Sequence, residues 1–340
     1  MPLSHNEETI LASIVVPSES NPRKPEFPAG DPKFPATPTY QIEVPGFSDV
    51  WLKDESVNPT GTHKDRMAWE IVVTYRDLLL AKKRALREGT IPSMSIISSG
   101  SAATAIQQQL AHYRLPNLKV LTDQRLEPDT MRALKKLGCE VYVTELDKKP
   151  LSSREILLAT NNRNGFDITS NEAFSPTTRF YDWLSYEIIN TSPDYCFIPF
   201  GTGNLYENIL NINRREVTTK RHDPRFQGDM ERLRQCNFLG ATTNDPLSKA
   251  IKLYSPHLPF AHYDEQWIRL YKNAGYCGLE SGVSIIREEF LDEAVALAKR
   301  CHIEAEASGI AGLALLLQMS DTLPKDKKML VINTGKTKYQ

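Results

Sequence analysis

The sequence predicts an α/β protein of two domains, each built on a mostly parallel β-sheet flanked by helices. Apolar segments of strand length alternate along the chain with amphipathic segments of helical length, and this pattern is typical of βαβ units. The 340 residues are enough for two domains of ordinary size. Gly-containing turns follow three predicted strands, at residues 98–101, 201–204 and 333–337. Open α/β sheets bind ligands at turns of this kind.

The first predicted element is an extended arm over residues 1–38, with one short strand or helical turn at residues 10–16. Seven prolines occur from residue 17 to residue 38. Proline lacks the backbone N–H and fixes its own φ, so this segment is excluded from a helix interior or a central strand.

The remaining elements follow from two periodicities. Strands are short runs rich in Val, Ile, Leu and Phe, and helices are longer segments with apolar residues three and four positions apart. The predicted strands are residues 50–52, 94–98, 118–121, 140–143, 166–169, 196–200, 238–242 and 329–333. The predicted helices are the long segment after residue 62 and residues 102–113, 128–137, 152–161, 180–190, 205–212, 288–299 and 309–319.

The segment WLKDESVNPTGTHKDR, residues 51–66, is the most informative part of the chain. A strand end leads through an Asn-Pro-Thr-Gly turn into a helix for which Thr62 and Asp65 form a capping-box pattern. Lys64 therefore lies in the first helical turn, where the positive end of the helix dipole lowers the pKa of an amine. A lysine that is more easily neutral is a better nucleophile toward an aldehyde. Taken alone, a lysine at this position would more simply be a solvated side chain.

Composition and charge exclude several classes of protein. The formal net charge of −1 gives no reason to expect nucleic acid or an anionic membrane as a partner. No apolar run reaches membrane-spanning length, and the N-terminal segment lacks the pattern of a secretory signal. The five cysteines are scattered, and neither they nor the histidines show metal-ligand spacing. A reduced, cytoplasmic compartment and no metal site are therefore expected.

The three Gly-containing turns suit polar ligands. Residues 98–101 precede a helix, so their N–H groups can form an anion site. The two glycines of residues 201–204 allow the backbone to approach a phosphate. A dinucleotide-binding fingerprint is excluded there because the third glycine it requires is replaced by Tyr206. Residues 335–337 imitate the end of a P-loop, but the upstream glycine that a P-loop requires is replaced by Leu330.

Together these motifs resemble the pyridoxal-phosphate (PLP) dependent enzymes of the tryptophan-synthase β type, known as fold type II. The segment NPTGTHKDR, residues 58–66, resembles their Schiff-base lysine motif and is most similar to that of threonine synthases, followed by cysteine synthases and threonine dehydratases. Residues 36–40 resemble the family's G-x-T-P-L segment. Residues 306–312 resemble its E-P-S-x-A-A segment, with Ala307 in place of proline. The resemblance covers most of the chain, from residue 37 to residue 338.

The resemblance implies a role for each motif. Lys64 is the implied catalytic residue, which binds PLP covalently and moves a proton as general base and acid. The residues implied in PLP binding are Lys64, Ser101, Gly201, Thr202, Gly203, Asn204 and Thr334. The residues implied in substrate binding are Ser98, Ser99, Gly100 and Arg179. Ser101 stands where the family typically has the asparagine that holds the cofactor's ring oxygen, so the contact there is expected to be weaker.

The activity that the resemblance implies is elimination or replacement at the β or γ carbon of an L-amino acid. Thr334 is a neutral partner for the pyridine nitrogen, which favours these reactions over transamination. Threonine synthesis from a phosphorylated homoserine is the first candidate. Cysteine-synthase-like β-replacement or serine/threonine dehydration is the second. The departures at Ser101 and Ala307 leave a third candidate, a catalytically altered scaffold protein that still binds PLP.

The resemblance also implies a domain division and an assembly. Residues 1–66 with 180–340 are expected to form a larger PLP-binding domain, and residues 67–179 a smaller domain on the substrate side. The active site is expected in the cleft between them. A homodimer is expected because it is the usual assembly of the family.

Overall fold

The computed structural model describes residues 36–85, 92–169, 180–255 and 265–339. The strands in these ranges are β1 (Thr39–Gln41), β2 (Val50–Asp54), β3 (Met94–Ile97), β4 (Lys119–Asp123), β5 (Glu140–Thr144), β6 (Phe166–Asp167), β7 (Tyr195–Pro199), β8 (Asn237–Thr242), β9 (Gly282–Ile285) and β10 (Met329–Asn333). The helices are α1 (Lys64–Ala85), α2 (Ser101–His112), α3 (Pro128–Lys136), α4 (Ser153–Ala159), α5 (Asp182–Ile189), α6 (Asn204–Thr218), α7 (Met230–Gln235), α8 (Glu265–Asn273), α9 (Glu288–Arg300) and α10 (Ala311–Gln318). A short 3₁₀ turn covers Ile251–Leu253.

The strands form two sheets, and the predicted α/β class with mostly parallel sheets is confirmed. The larger sheet has the order β1-β2-β10-β7-β8-β9, and the smaller one the order β5-β4-β3-β6. Neighbouring strands run parallel except for β1, which is antiparallel to β2. Every residue of β7 and β10 is buried, as expected for central parallel strands with helices on both faces.

The last strand of the chain, β10, lies between β2 and β7 in the larger sheet. β10 pairs with β2 from Met329 opposite Val50 to Asn333 opposite Asp54, and it pairs with β7 on its other side. This insertion brings the segment after β10 next to the turn before α1. The strand order therefore places residues from the two ends of the sequence at one edge of the sheet.

The predicted elements that fall on described residues all have observed counterparts, with bounds that differ at the ends. The helix predicted over residues 205–212 continues to Thr218, and α2 begins at Ser101, one residue earlier than predicted. The structure adds β1, β9, α7, α8 and the 3₁₀ turn to the predicted strands and helices. Residues 1–35, which include the element predicted at 10–16, lie outside the described residues. In the described ranges, no helix combines the length and apolarity needed to cross a bilayer.

Candidate active site

A pocket lies where the turns after β3, β7 and β10 meet the start of α1. Its wall includes residues that follow strands of both sheets. The predicted site residues that line it are Lys64, Ser98, Ser99, Ser101, Gly201, Thr202, Gly203, Asn204 and Thr334. Gly100 does not line the pocket, and Arg179 lies outside the described residues. The topology thus brings together side chains from four separate parts of the sequence.

The capping of α1 differs from the predicted pattern. Thr62 Oγ1 accepts a hydrogen bond from the backbone N of Lys64 at 3.2 Å. The carboxylate of Asp65 accepts hydrogen bonds from the backbone N and the hydroxyl of Thr60, both at 2.8 Å. The Asp65 side chain therefore also fixes the turn at Thr60, two residues upstream of Thr62. Burial raises the pKa of Asp65 to about 6.

The amine of Lys64 contacts a buried tyrosine. Lys64 Nζ donates to Tyr181 Oη at 3.1 Å, and Tyr181 Oη in turn donates to Met67 Sδ at 3.5 Å. Burial lowers the pKa of Lys64 to about 8. The direction agrees with the sequence prediction, but the cause is removal of the ammonium from water and not the helix dipole. No sequence signal identified Tyr181, which lies 117 positions from Lys64.

His63 and Thr334 lie on the same side of the pocket. The backbone N of His63 donates to the carbonyl oxygen of Thr334 at 3.1 Å, and the His63 ring stacks on Tyr181 with 5.4 Å between centroids. Burial, together with the positive charge of Lys64, holds the pKa of His63 well below its usual value. His63 is therefore neutral near pH 7, and Thr334 presents a neutral hydroxyl to the pocket.

Three glycines, Gly61, Gly309 and Gly335, allow three backbone segments to pass close to one another beside the turn that carries Lys64. A Cβ atom on Gly309 would lie 2.0 Å from the carbonyl oxygen of Gly335, and one on Gly335 would lie 2.0 Å from that of Gly61. Gly61 and Gly335 also have φ values of 80° and 99°, in the left-handed region that favours glycine. The backbone N of Lys336 donates to Gly61 O at 2.9 Å. Any side chain at these positions would displace the turn that carries Lys64.

The turn at residues 98–101 is closed by its own side chain. Ser98 Oγ accepts from the backbone N of Gly100 at 3.1 Å and from that of Ala103 at 3.3 Å. The N–H of Gly100 is therefore not available to a ligand. In the described part of the chain, the N–H groups of Ser99 and Ser101 form no hydrogen bond, and both residues line the pocket. The start of α2 thus has two N–H groups that are free to bind an anion.

The turn at residues 201–204 has the geometry of a second anion site. Gly203 has a φ of 81°, and the turn leads directly into α6. Among the described residues, none accepts a hydrogen bond from the backbone N–H of residues 201–204. Exposed N–H groups at the start of a 15-residue helix favour a phosphate or carboxylate.

A second lysine, which the sequence analysis did not identify, lies in the pocket wall. Lys252 Nζ donates to both carboxylate oxygens of Glu306, at 2.7 and 2.6 Å, and to Thr337 Oγ1 at 3.1 Å. Thr337 Oγ1 lies 2.6 Å from Ser101 Oγ. The sequence could not indicate this cluster, because its members follow different strands and share no local pattern.

A buried ion-pair cluster fixes the segment around the turn that carries Lys64. Arg66 bonds Glu55 through Nε at 2.8 Å and Glu187, in α5, through Nη1 at 2.7 Å. Lys53 Nζ bonds Glu187 at 2.6 Å. Burial alone would raise the pKa of Glu55, but the charge and hydrogen bonds of Arg66 outweigh burial and lower it.

The fold and this pocket, with a lysine of lowered pKa between two anion sites, define a PLP-dependent enzyme of fold type II. A family model described as "pyridoxal-phosphate dependent enzyme" matches residues 33–335. The chain belongs to the pyridoxal-phosphate dependent enzyme family, and PLP is its cofactor. The match covers almost all of the residues that the structure describes.

The individual proteins to which the chain is similar either match only part of it or have low sequence identity. Over 115 residues the chain is 33% identical to a putative cysteine synthase of Sinorhizobium fredii, and this match spans 33% of the chain and 31% of that relative. Diaminopropionate ammonia lyase from Escherichia coli has a similar structure, with a TM-score of 0.65 and 14% identity over 100% of this chain and 91% of that one. An O-ureido-L-serine synthase gives a TM-score of 0.60 with 17% identity over 88% and 89%. These two structures show a shared fold.

The donors present in the pocket fit PLP. The cofactor needs an amine for its aldehyde, donors for its phosphate and a partner for its ring nitrogen. Lys64 offers the amine, the free N–H groups of residues 201–204 offer the phosphate donors, and Thr334 offers a neutral hydroxyl. The N–H groups of Ser99 and Ser101 remain free for a second anion.

Proposed function

We propose that this protein catalyses elimination or replacement at the β or γ carbon of an L-amino acid, with Lys64 as the catalytic residue. One observation carries the proposal. The Lys64 amine, with its pKa lowered to about 8, shares one pocket with two helix N-termini whose N–H groups are free. One anion site suits the cofactor phosphate and the other suits the substrate carboxylate.

Each residue then has a defined task. Lys64 binds PLP and, once released, takes the proton from Cα of the amino acid and returns it. A pKa near 8 leaves an appreciable neutral fraction of the amine near neutral pH. Bound PLP supplies a ring that stabilises negative charge at Cα. Thr334 would offer the ring nitrogen an uncharged hydroxyl. The turn of Ser98, Ser99 and Gly100 would hold the carboxylate through the N–H of Ser99, because the N–H of Gly100 donates to Ser98. Arg179 is a further candidate for that contact.

Two substrate classes are candidates. The lysine motif is most similar to that of threonine synthases, which favours a phosphorylated homoserine. The relative described as a putative cysteine synthase favours β-replacement at an activated serine. A serine/threonine dehydratase activity belongs to the same second group, since it also begins with removal of the Cα proton and loss of a β substituent.

The domain division and the assembly are part of the proposal. We assign residues 1–66 and 180–340 to a larger PLP-binding domain and residues 67–179 to a smaller one. The separation of β3–β6 into their own sheet supports this division. We also propose a homodimer, as the family resemblance suggests, and a cytoplasmic location. The five cysteines, all free thiols, support a reduced compartment.

The experiment that tests the proposal is a visible absorbance spectrum of the purified protein with PLP, followed by addition of single amino acids. A visible band that changes with O-phospho-L-homoserine, and release of phosphate, would support threonine synthesis. A change with O-acetyl-L-serine plus sulfide, or with L-serine, would support the second group. Lys64→Ala should abolish both the band and turnover. PLP binding without turnover of any of these compounds would instead indicate a catalytically altered scaffold.

A further inference from the structure

A row of hydrogen-bonded side chains runs along the pocket wall from Lys252 to Ser101. Lys252 Nζ donates to Glu306 Oε1 and Oε2 and to Thr337 Oγ1, and Thr337 Oγ1 contacts Ser101 Oγ. Lys252, Glu306 and Ser101 line the pocket, while Thr337 is buried behind them with 6% of its surface exposed. The row therefore joins a partly exposed cation in the pocket wall to the hydroxyl of another residue that lines the pocket.

The direction of these hydrogen bonds follows from the hydrogens available. The Lys252 ammonium has three hydrogens and no lone pair. Two of them go to Glu306 and the third goes to Thr337, so Thr337 Oγ1 accepts at this contact. In the described ranges, the only acceptor near the Thr337 hydroxyl hydrogen is Ser101 Oγ. A buried hydroxyl without an acceptor is strongly disfavoured, and Thr337 therefore donates to Ser101.

Ser101 becomes a donor as a consequence. Its oxygen accepts from Thr337, and its own single hydrogen is left for the pocket. A free serine hydroxyl can rotate to accept as well as donate. Hydrogen bonds in a row polarise one another, and this row begins at a positive charge, which strengthens the donor at its end.

We propose that Lys252 and Thr337 are positioning residues that orient the Ser101 hydroxyl as a hydrogen-bond donor to the ring oxygen of PLP. The inference rests on the proposed function and on the PLP-binding role that the family resemblance implies for Ser101. The ring oxygen is negatively charged when its hydroxyl is ionised, so it pairs with a donor and is repelled by a lone pair. In this way the row of hydrogen-bonded side chains, the relay from Lys252 to Ser101, fixes the Ser101 hydroxyl as a donor.

The test compares three variants of the full chain in titrations of the PLP-free protein. Thr337→Val removes the hydroxyl at nearly constant volume, Thr337→Ser retains the hydroxyl, and Ser101→Ala removes the donor. Each is titrated with PLP and with the PLP analogue in which hydrogen replaces the ring hydroxyl. Loss of one hydrogen bond to a negatively charged oxygen predicts a Kd for PLP that is about ten- to a hundredfold higher in Thr337→Val and in Ser101→Ala. Thr337→Ser should bind PLP like the wild type.

Two controls distinguish a change in the orientation of the Ser101 hydroxyl from general damage to the pocket. The analogue should bind to all three variants with the wild-type Kd, since it lacks the acceptor. Adding Thr337→Val to Ser101→Ala should cause no further loss, because Thr337 acts through Ser101. Should Thr337→Val fail to fold, Lys252→Met combined with Glu306→Leu interrupts the relay at its other end. That pair is expected to show the same pattern of dissociation constants.

Three results would overturn the inference. These are an unchanged Kd for PLP in Thr337→Val, an equal loss for PLP and for the analogue, and an additional loss in the double variant. A wild-type chain that binds neither compound would contradict the proposed function itself, and the inference would fall with it. A wild-type chain that binds PLP, together with any of the first three results, would contradict the relay alone.

Discussion

At the scale of single residues, the proposed function depends on a lysine whose charge the fold does not favour. Lys64 has a pKa of about 8 in the folded protein against 10.5 for an ordinary lysine, because burial disfavours the ammonium. The unfolded chain therefore binds more protons between pH 8 and pH 10.5, and stability rises with pH in this window. Below pH 8, burial of the Lys64 ammonium lowers the free energy of unfolding by its full amount. Above pH 10.5 this effect disappears, because the amine is neutral in both states.

Replacing Lys64 with methionine should therefore stabilise the PLP-free protein. We expect Lys64→Met to raise the free energy of unfolding by about 1–3 kcal/mol at pH 7, since a pKa difference of one unit corresponds to about 1.4 kcal/mol and partial exposure reduces the effect. The gain should shrink as pH rises from 8 to 10.5. Urea denaturation at pH 7 and pH 10 measures both values. A variant less stable than the wild type at pH 7 would contradict the burial argument.

Tyr181 should set the basicity of the Lys64 amine. Its hydroxyl hydrogen is directed to Met67, so its oxygen accepts from Lys64 and stabilises the ammonium. Tyr181→Phe removes this acceptor, and we expect the pKa of Lys64 to fall from about 8 by roughly one pH unit. The pH dependence of Lys64 acylation in the PLP-free protein, followed by peptide mass spectrometry, measures this change.

A tyrosine in the same helix as Lys64 supplies the control. Tyr75 donates to the carbonyl oxygen of Pro92 at 2.6 Å and makes no contact with the Lys64 amine. Tyr75→Phe should leave the acylation profile at its wild-type position. Identical profiles for Tyr181→Phe and the wild type would show that the phenol has no influence on the amine.

At the scale of elements, the turn before α1 is held by the backbone crossing at Gly61, Gly309 and Gly335. Gly309→Ala would place a methyl group 2.0 Å from a backbone oxygen that cannot move without shifting the turn. We expect a loss of about 2–3 kcal/mol in the free energy of unfolding, together with weaker PLP binding. Chemical denaturation and a PLP titration measure the two effects.

A glycine in β9 provides a matched control for this substitution. At Gly282 the nearest atom to an added Cβ lies 4.0 Å away, so Gly282→Ala should change stability by less than about 0.5 kcal/mol. Comparable losses for the two alanine variants would mean that the crossing at Gly309 has no special role in positioning Lys64.

At the scale of the whole molecule, the Arg66 cluster joins the catalytic segment to α5. Glu55 is fully buried, and Arg66 is the partner that keeps it ionised. Arg66→Met leaves that carboxylate without its cation, and breaking such a buried pair costs about 3–5 kcal/mol. Because the lowered pKa of Glu55 contributes stability above its usual value of 4.5, the deficit should be largest at pH 7 and smaller as pH falls toward 4.

Urea denaturation at pH 7 and pH 4.5 measures this dependence. An exposed arginine serves for comparison: Arg287 pairs with Glu289 at 3.3 Å, with 58% and 63% of the two side chains exposed. Arg287→Met should cost less than about 1 kcal/mol at either pH. A deficit for Arg66→Met that stayed constant between the two pH values would exclude Glu55 as its source.

The sequence by itself determined the fold class, most of the elements and the candidate residues at Lys64, Thr334 and the turns at 98–101 and 201–204. These depend on local spacing: strand and helix periodicity, glycine in turns, and a lysine at a helix start. Only the tertiary structure decided which side chains face them. Tyr181 and Thr337 lie 117 and 236 positions from their partners Lys64 and Ser101. Such contacts depend on strand order and on the insertion of β10 beside β2, and local spacing contains no information about either.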